Sequence, residues 1–264
     1  MASAQLYGIS WDSGDLYRIS TADASLTRVG ATGIVGAGDL AFDPGGTLWS
    51  FSTGTSSAAY RINPTDASAF SIGPTMLGFV FEGGLAFDSD GSPIATNEGN
   101  ASTPHLFTFD TELGIGTEGA VLQGGQHDIN GLTYWQNTLI GLDNITNSIV
   151  KIDPTTGQVT NLKTFDPNAG DPTIGDIGGL TVYQNQIYFV TSGSSGMVAG
   201  SNSLYRLNPA NWTPTLIGVI DRAVVGDSGL SGIAGTPVPE PASALILASL
   251  MPLALLRRRL RTSR

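Results

Sequence analysis

GLSGIAG (229–235) is the last strand-like segment of this chain, and nothing after it offers a partner. It is the fifth copy of a motif that recurs as DLAFD (39–43), GLAFD (84–88), GLTYW (131–135) and GLTVY (179–183), at a period of about 47 residues. A second strand-like segment follows each of the first four copies: LWSFS (48–52), PIATN (93–97), LIGLD (139–143) and IYFVT (187–191). A third follows in turn: YRINP (60–64), LFTFD (106–110), VKIDP (150–154) and LYRLNP (204–209). A weaker fourth is read in AFSIG (69–73), QVTNL (158–162) and TLIGV (215–219). The N-terminus holds the complement of the orphan. LYGIS (6–10), LYRIS (16–20) and LTRVG (26–30) are a second, third and fourth segment with no first.

Apolar and polar residues alternate within these segments, and turn clusters such as DPGG, DSDG, NPTD and DPTTG break them every ten or so residues, the pattern of antiparallel hairpins. Four strands per repeat are propeller blades. Joining Ser231 to Gly235 with Leu6 to Ser10 completes a fifth blade from both ends of the chain and removes the exposed edges that an open array would leave. The expectation is an all-β, five-bladed β-propeller over 1–236, closed by N- and C-terminal strands, followed by one apolar C-terminal helix within 237–264. A β-sandwich, or a larger propeller lacking blades, is the alternative.

The tail has three parts. Val238, Pro239, Glu240 and Pro241 precede an uncharged run from Ala242 to Leu256, and Arg257, Arg258, Arg259 and Arg261 follow it. As a helix the run spans only ~22 Å, and including Pro241 to Leu260 brings it to about 30 Å with arginines snorkelling to the headgroups. Pro252 weakens or kinks that helix. The basic cluster places the C-terminus in the cytoplasm and the body outside. Order and content of the three parts resemble the PEP-CTERM sorting signal of Gram-negative bacteria. The resemblance implies export, transient anchoring in the inner membrane, cleavage near Pro-Glu-Pro by an exosortase, and final placement at the cell surface or beyond. It also implies a link to exopolysaccharide and biofilm. Ala2-Ser3-Ala4 has the small-x-small form of a signal-peptidase site, which puts the mature N-terminus near Gln5.

Residues 1–236 carry seven Lys and Arg against twenty-one Asp and Glu, a net charge of −14. Such a body is repelled by phosphate backbones, so nucleic acid is not an expected partner. The absence of cysteine excludes disulfides, thiolate metal sites and a Cys nucleophile. The LYRIN-P and LAFD-xxG patterns resemble blades of the NHL, strictosidine-synthase-like and gluconolactonase-like propellers, a resemblance that carries no catalytic residues with it.

Acidic residues recur before the first strands, once per blade: Asp39, Glu82, Asp128, Asp176 and Asp227. If they converge at the channel mouth they suit Ca²⁺ or a hydroxyl-rich ligand; the competing reading is that each caps its own loop. His127, beside Asp128, is the one candidate general base, because the only other histidine is His105. Asp88-x-Asp90-Gly91 reads as a hairpin turn rather than a calcium loop. TSGSSGMVAGSNS (191–203) is the longest second-to-third loop, and Trp49 and Trp135 are expected to fill gaps between blades. The functional expectation is a non-catalytic surface propeller with no required cofactor. Its expected partners are the exosortase and export machinery, the inner membrane, and a polysaccharide or protein ligand. The alternative is a divalent-cation-dependent lactonase- or lyase-like enzyme.

Overall fold

The computed structural model describes residues 5–80, 83–97, 103–175, 178–192 and 202–237. Among these residues twenty strands form five four-stranded antiparallel sheets. The N-terminal strands are β1 (Leu6–Ser10), β2 (Asp15–Ile19) and β3 (Leu26–Ala31). The next blade is β4 (Ala37–Phe42), β5 (Leu48–Ser52), β6 (Ala58–Ile62) and β7 (Ala69–Pro74). The third is β8 (Leu85–Phe87), β9 (Pro93–Asn97), β10 (His105–Phe109) and β11 (Gly116–Val121). The fourth is β12 (Ile129–Trp135), β13 (Thr138–Asp143), β14 (Ser148–Ile152) and β15 (Val159–Thr164). The fifth is β16 (Gly178–Tyr183), β17 (Gln186–Thr191), β18 (Ser203–Asn208) and β19 (Thr213–Val219), and the last strand is β20 (Leu230–Gly235).

β20 completes the first sheet in the order β20-β1-β2-β3. Leu6 pairs with Gly235, Tyr7 with Ala234, Gly8 with Ile233 and Ile9 with Gly232, so the expected clasp forms, with a bulge that shifts Ser10 to Leu230. Beyond it, the Gln5 amide donates to Thr236 Oγ1 and the Thr236 amide to the Gln5 carbonyl, at 2.9 and 3.0 Å.

The hairpin between the third and fourth strands is the same in every blade, because the same local chemistry recurs. Ser20, Asn63, Asp110, Asp153 and Asn208 each accept the amide of the residue four further on, at 2.6–2.9 Å. Those residues, Ala24, Ala67, Gly114, Gly157 and Trp212, all have φ between 58° and 79°. In each blade the side-chain oxygen of the first residue also accepts the amide two residues on, for example Asp110 Oδ1 from Glu112 at 2.7 Å and Asp153 Oδ1 from Thr155 at 2.8 Å. Short polar side chains at the start of the turn thus stop the strand and reverse it.

The core lies between blades, in five apolar clusters that correspond to the five blade contacts. Trp49, 2% exposed, lies with its ring centre 5.7 and 5.9 Å from those of Phe87 and Phe109 on the next blade, which is the gap-filling role expected of it. Trp135 is half-buried against the cluster between the fourth and fifth blades. The single α-helical turn of the described residues is α1 (Arg222–Val225), and none of their helices is long and apolar enough to cross a membrane. The helix expected over 242–256, the Pro-Glu-Pro motif and the arginine cluster lie outside the described residues.

Candidate functional site

Each blade offers its innermost strand to the axis, and one position recurs there: Asp39 on β4, Gly84 before β8, Gly131 on β12, Gly179 on β16 and Gly232 on β20. The glycines are required by closeness. A Cβ on Gly131 would stand 2.6 Å from the Leu180 nitrogen, on Gly179 2.4 Å from the Ile233 nitrogen, and on Gly232 2.4 Å from the Leu40 nitrogen. Four strands without side chains at this level leave room for one, and Asp39 takes it.

A bulge places Asp39. Ala37 pairs with Ser52 but Leu40 with Ser50, so two residues of β4 face one of β5, and the extra residue is re-aimed. The Asp39 carboxylate accepts the Leu40 amide at 2.7 Å and the Leu85 amide at 2.9 Å, and the amides of Leu132 and Ile233 face it as well. Inner-strand edges carry amides that no sheet partner satisfies, and one carboxylate bonds edges of two blades and faces amides of two more. Asp39 is fully buried, which raises its carboxyl well above the ordinary range against the opposing pull of the four amides. It is a plug, sealed from both ends of the channel.

The other expected acids do not share its place. Asp39 lies inside its strand, in column with the glycines, whereas Glu82, Asp128, Asp176 and Asp227 precede theirs. Glu82 and Asp176 lie outside the described residues. Asp128 accepts the Asn144 side-chain amide at 2.9 Å, and the Asn144 backbone amide donates to the Asp128 carbonyl at 2.8 Å. Asp227 is exposed and pairs with Arg222 at 3.0 Å. Among the described residues no three His, Cys, Asp or Glu side chains gather as a metal site. His127 is buried with Nδ1 2.8 Å from Asp143 Oδ2, and Asp143 also accepts the Thr146 hydroxyl and the Asp128 amide. The sequence reading did not connect Asp143 with His127, since the two meet only across the β12–β13 pairing. Asp88 Oδ1 accepts the amides of Asp90 and Ser92, closing the expected hairpin turn.

The large concavity opens at the opposite face, where the inner strands end. It is a funnel of about 910 Å³ around the axis, its floor at Leu40, Leu85, Leu132 and Leu180, one residue above the plug. Phe42, Phe87, Tyr134 and Trp135 form its apolar wall; Gln136, Asn137, Gln184 and Asn185 stand exposed at its lip, beside the half-buried Asp43 and Asp88. Asp43 also accepts the Trp49 indole N–H at 2.9 Å. Burial and the Asp88 carboxylate hold the Tyr134 hydroxyl above its ordinary range, keeping it a neutral donor. No lysine, arginine or histidine lines the funnel among the described residues. Gly235, Thr236 and Pro237 complete the rim, so the chain leaves the ring at the funnel itself.

No protein-family model matches the chain, and no curated protein matches it. Solved structures share its fold. A chain of the nidogen/laminin complex aligns with 89% of this protein and 99% of its own length, with a TM-score of 0.56 and 14% identity. A Bacteroides thetaiotaomicron VPI-5482 protein of unknown function aligns over 81% of this chain and 58% of its own, with a TM-score of 0.53 and 15% identity. A Bacteroides caccae protein, also of unknown function, covers 90% and 100%, with a TM-score of 0.51 and 8% identity. At these identities the likeness is one of fold, a β-propeller, and function must be argued from the sites.

Proposed function

We propose that this protein is an exported, PEP-CTERM-sorted, non-catalytic β-propeller that binds a ligand of the cell surface or the exopolysaccharide matrix. The carrying observation is the junction at β20: the ring is complete at Gly235, and three residues later the chain enters Val238-Pro-Glu-Pro241, an uncharged run and an arginine cluster. A ring that needs nothing beyond Gly235 for closure leaves that segment free for sorting. In this reading Ala242 to Leu256 forms the inner-membrane helix, Arg257, Arg258, Arg259 and Arg261 lie on the cytoplasmic side, and an exosortase releases the body.

A binding role is supported by the plugged axis, since Asp39 is sealed away from solvent, and by the commitment of Asp128 and Asp227 to Asn144 and Arg222. His127 is likewise committed, buried against Asp143 at 2.8 Å.

Fractionation of the cells that make the protein tests the reading. The body is expected outside the cytoplasm in a form shortened near Pro239, and the P239A/E240A/P241A variant is expected to stay full length in the inner membrane. A full-length, cytoplasmic body would overturn it.

A further inference from the structure

The funnel is a concavity with room for a ligand of appreciable size, and its lining has a definite chemistry. We infer that it is a binding site for a segment of neutral, hydroxyl-rich polysaccharide. The inference rests on the reading of the body as a binding module, and is independent of how the chain is sorted.

Three observations converge. The volume, about 910 Å³, lies toward the upper end of the roughly 300–1,000 Å³ typical of ligand sites, and the Asp39 plug beneath the floor makes it a blind cup rather than a conduit. Phe42, Tyr134 and Trp135 are half-buried, held by the cores on either side and accessible from the cup, which suits the C–H faces of pyranose rings. Polar groups at the lip are largely amides. Gln136, Asn137, Gln184 and Asn185 each provide a donor and an acceptor, matching hydroxyls that need both.

These amides are firmly presented. Gln136 and Asn137, with φ of 48° and 61°, and Gln184 and Asn185, with φ of 49° and 58°, form the two-residue turns joining β12 to β13 and β16 to β17. Both central residues being left-handed is the tight hairpin turn that twists with its strands, so the side chains project from rigid stems.

Charge selects among glycans. The lining has two carboxylates and no cation among the described residues, so uronate-rich, sulfated or phosphorylated chains meet repulsion without compensation. A cationic amino-sugar polymer is the competitor that the two carboxylates admit. Asp43 is already engaged by the Thr47 amide and the Trp49 indole, and Asp88 by the amides of Asp90 and Ser92, which favours the neutral ligand.

The test uses full-length protein in detergent, titrated calorimetrically with maltohexaose, cellohexaose, dextran, oligogalacturonate and chitosan oligomers. At least one neutral probe is expected to bind saturably, with oligogalacturonate inert. W135A is expected to weaken that binding by about tenfold or more. Because Trp135 also packs against the core, Q136R/Q184R, which changes only exposed residues, is expected to do the same with an unchanged melting temperature. Binding of no neutral probe, binding indifferent to Q136R/Q184R, or binding of chitosan alone would each overturn the inference. None of these outcomes bears on where the protein is sorted, which fractionation reads separately.

Discussion

The Asp39 carboxylate accepts the amide of Leu85 at 2.9 Å, 46 residues on and in the neighbouring blade. That bond and the one from Leu40 tie two inner strands to one side chain at the axis, which the amides of Leu132 and Ile233 on two more also face. D39A leaves several buried amides without an acceptor and opens a void, so it is expected to cost about 3–5 kcal/mol in urea unfolding. D39N retains one acceptor oxygen and is expected to cost less. A D39A protein as stable as the parent would show that the plug is dispensable.

The glycine at the same level of the closing strand is equally constrained. A Cβ at Gly232 would meet the Leu40 nitrogen at 2.4 Å and Asp39 Oδ1 at 2.6 Å. Neither can retreat, since both are held by the ring. G232A is therefore expected to destabilise by about 3 kcal/mol or more, at or beyond the usual range for overpacking, whereas G46A, on an exposed turn with nothing near, pays only for its left-handed backbone, about 1 kcal/mol. Equal midpoints for the two variants would refute the crowding argument.

Acid is expected to weaken the fold through the hairpin turns. Asp23, held down by the hydroxyls of Ser20 and Ser25, Asp66 by Ser68, Asp110 by the Glu112 and Leu113 amides, and Asp153 by the Thr155 and Thr156 amides all lie below the ordinary carboxylate value of 3.8. A depressed native value gives stability that is present above the unfolded value and lost as pH falls through the native one. Asp39 runs the other way: burial raises it, so its contribution is full below 3.8 and declines as pH rises through its native value. Urea midpoints should therefore drop below about pH 4, less so in D23N/D66N/D110N/D153N, while D39N should alter the limb above it. An unchanged acid limb in the quadruple variant would exclude the turns as its cause.

Calcium is expected to leave the melting temperature unchanged. Asp128 is engaged by Asn144 of the β13–β14 loop and Asp227 by Arg222 of its own, and a bound cation would otherwise add about 2.7 kcal/mol at a hundredfold excess over its dissociation constant. Melts in millimolar calcium and in chelator decide it; a shift abolished by D128N/D176N would establish a cation site instead.

Removing 238–264 should leave the melting temperature within a degree or two, because β20 ends at Gly235 and the ring is closed without the tail. A drop of several degrees would place the tail in the core.

The blade count and the clasp were legible because each rests on local alternation repeated five times, and the unpaired copy at 229–235 had one complement. The plug was visible in outline and misassigned. Asp39 looked like one member of an acidic set, yet its column reads Asp, Gly, Gly, Gly, Gly, and the odd residue in an otherwise invariant position was the available signal. What concealed it was the bulge before Leu40, since one extra residue changes which side chain faces the axis without changing the pattern of apolar positions. The funnel was not legible at all. Trp135 read as blade filling because a strand shows alternation but not which strand ends meet across an axis.

Gln5 and Thr236 bond to one another at the start of β1 and the end of β20, and Pro237 stands on the funnel's rim. The first and last strands of the ring therefore meet side by side, the last of them at the funnel. If the chain is anchored beyond Pro237 as proposed, the pull falls on the rim of the funnel, and the funnel rather than the loops of Asp128 and Asp227 is the face turned toward the support. In that scheme, cutting the anchor would change not only where the molecule can travel but also which of its two faces the surroundings can touch.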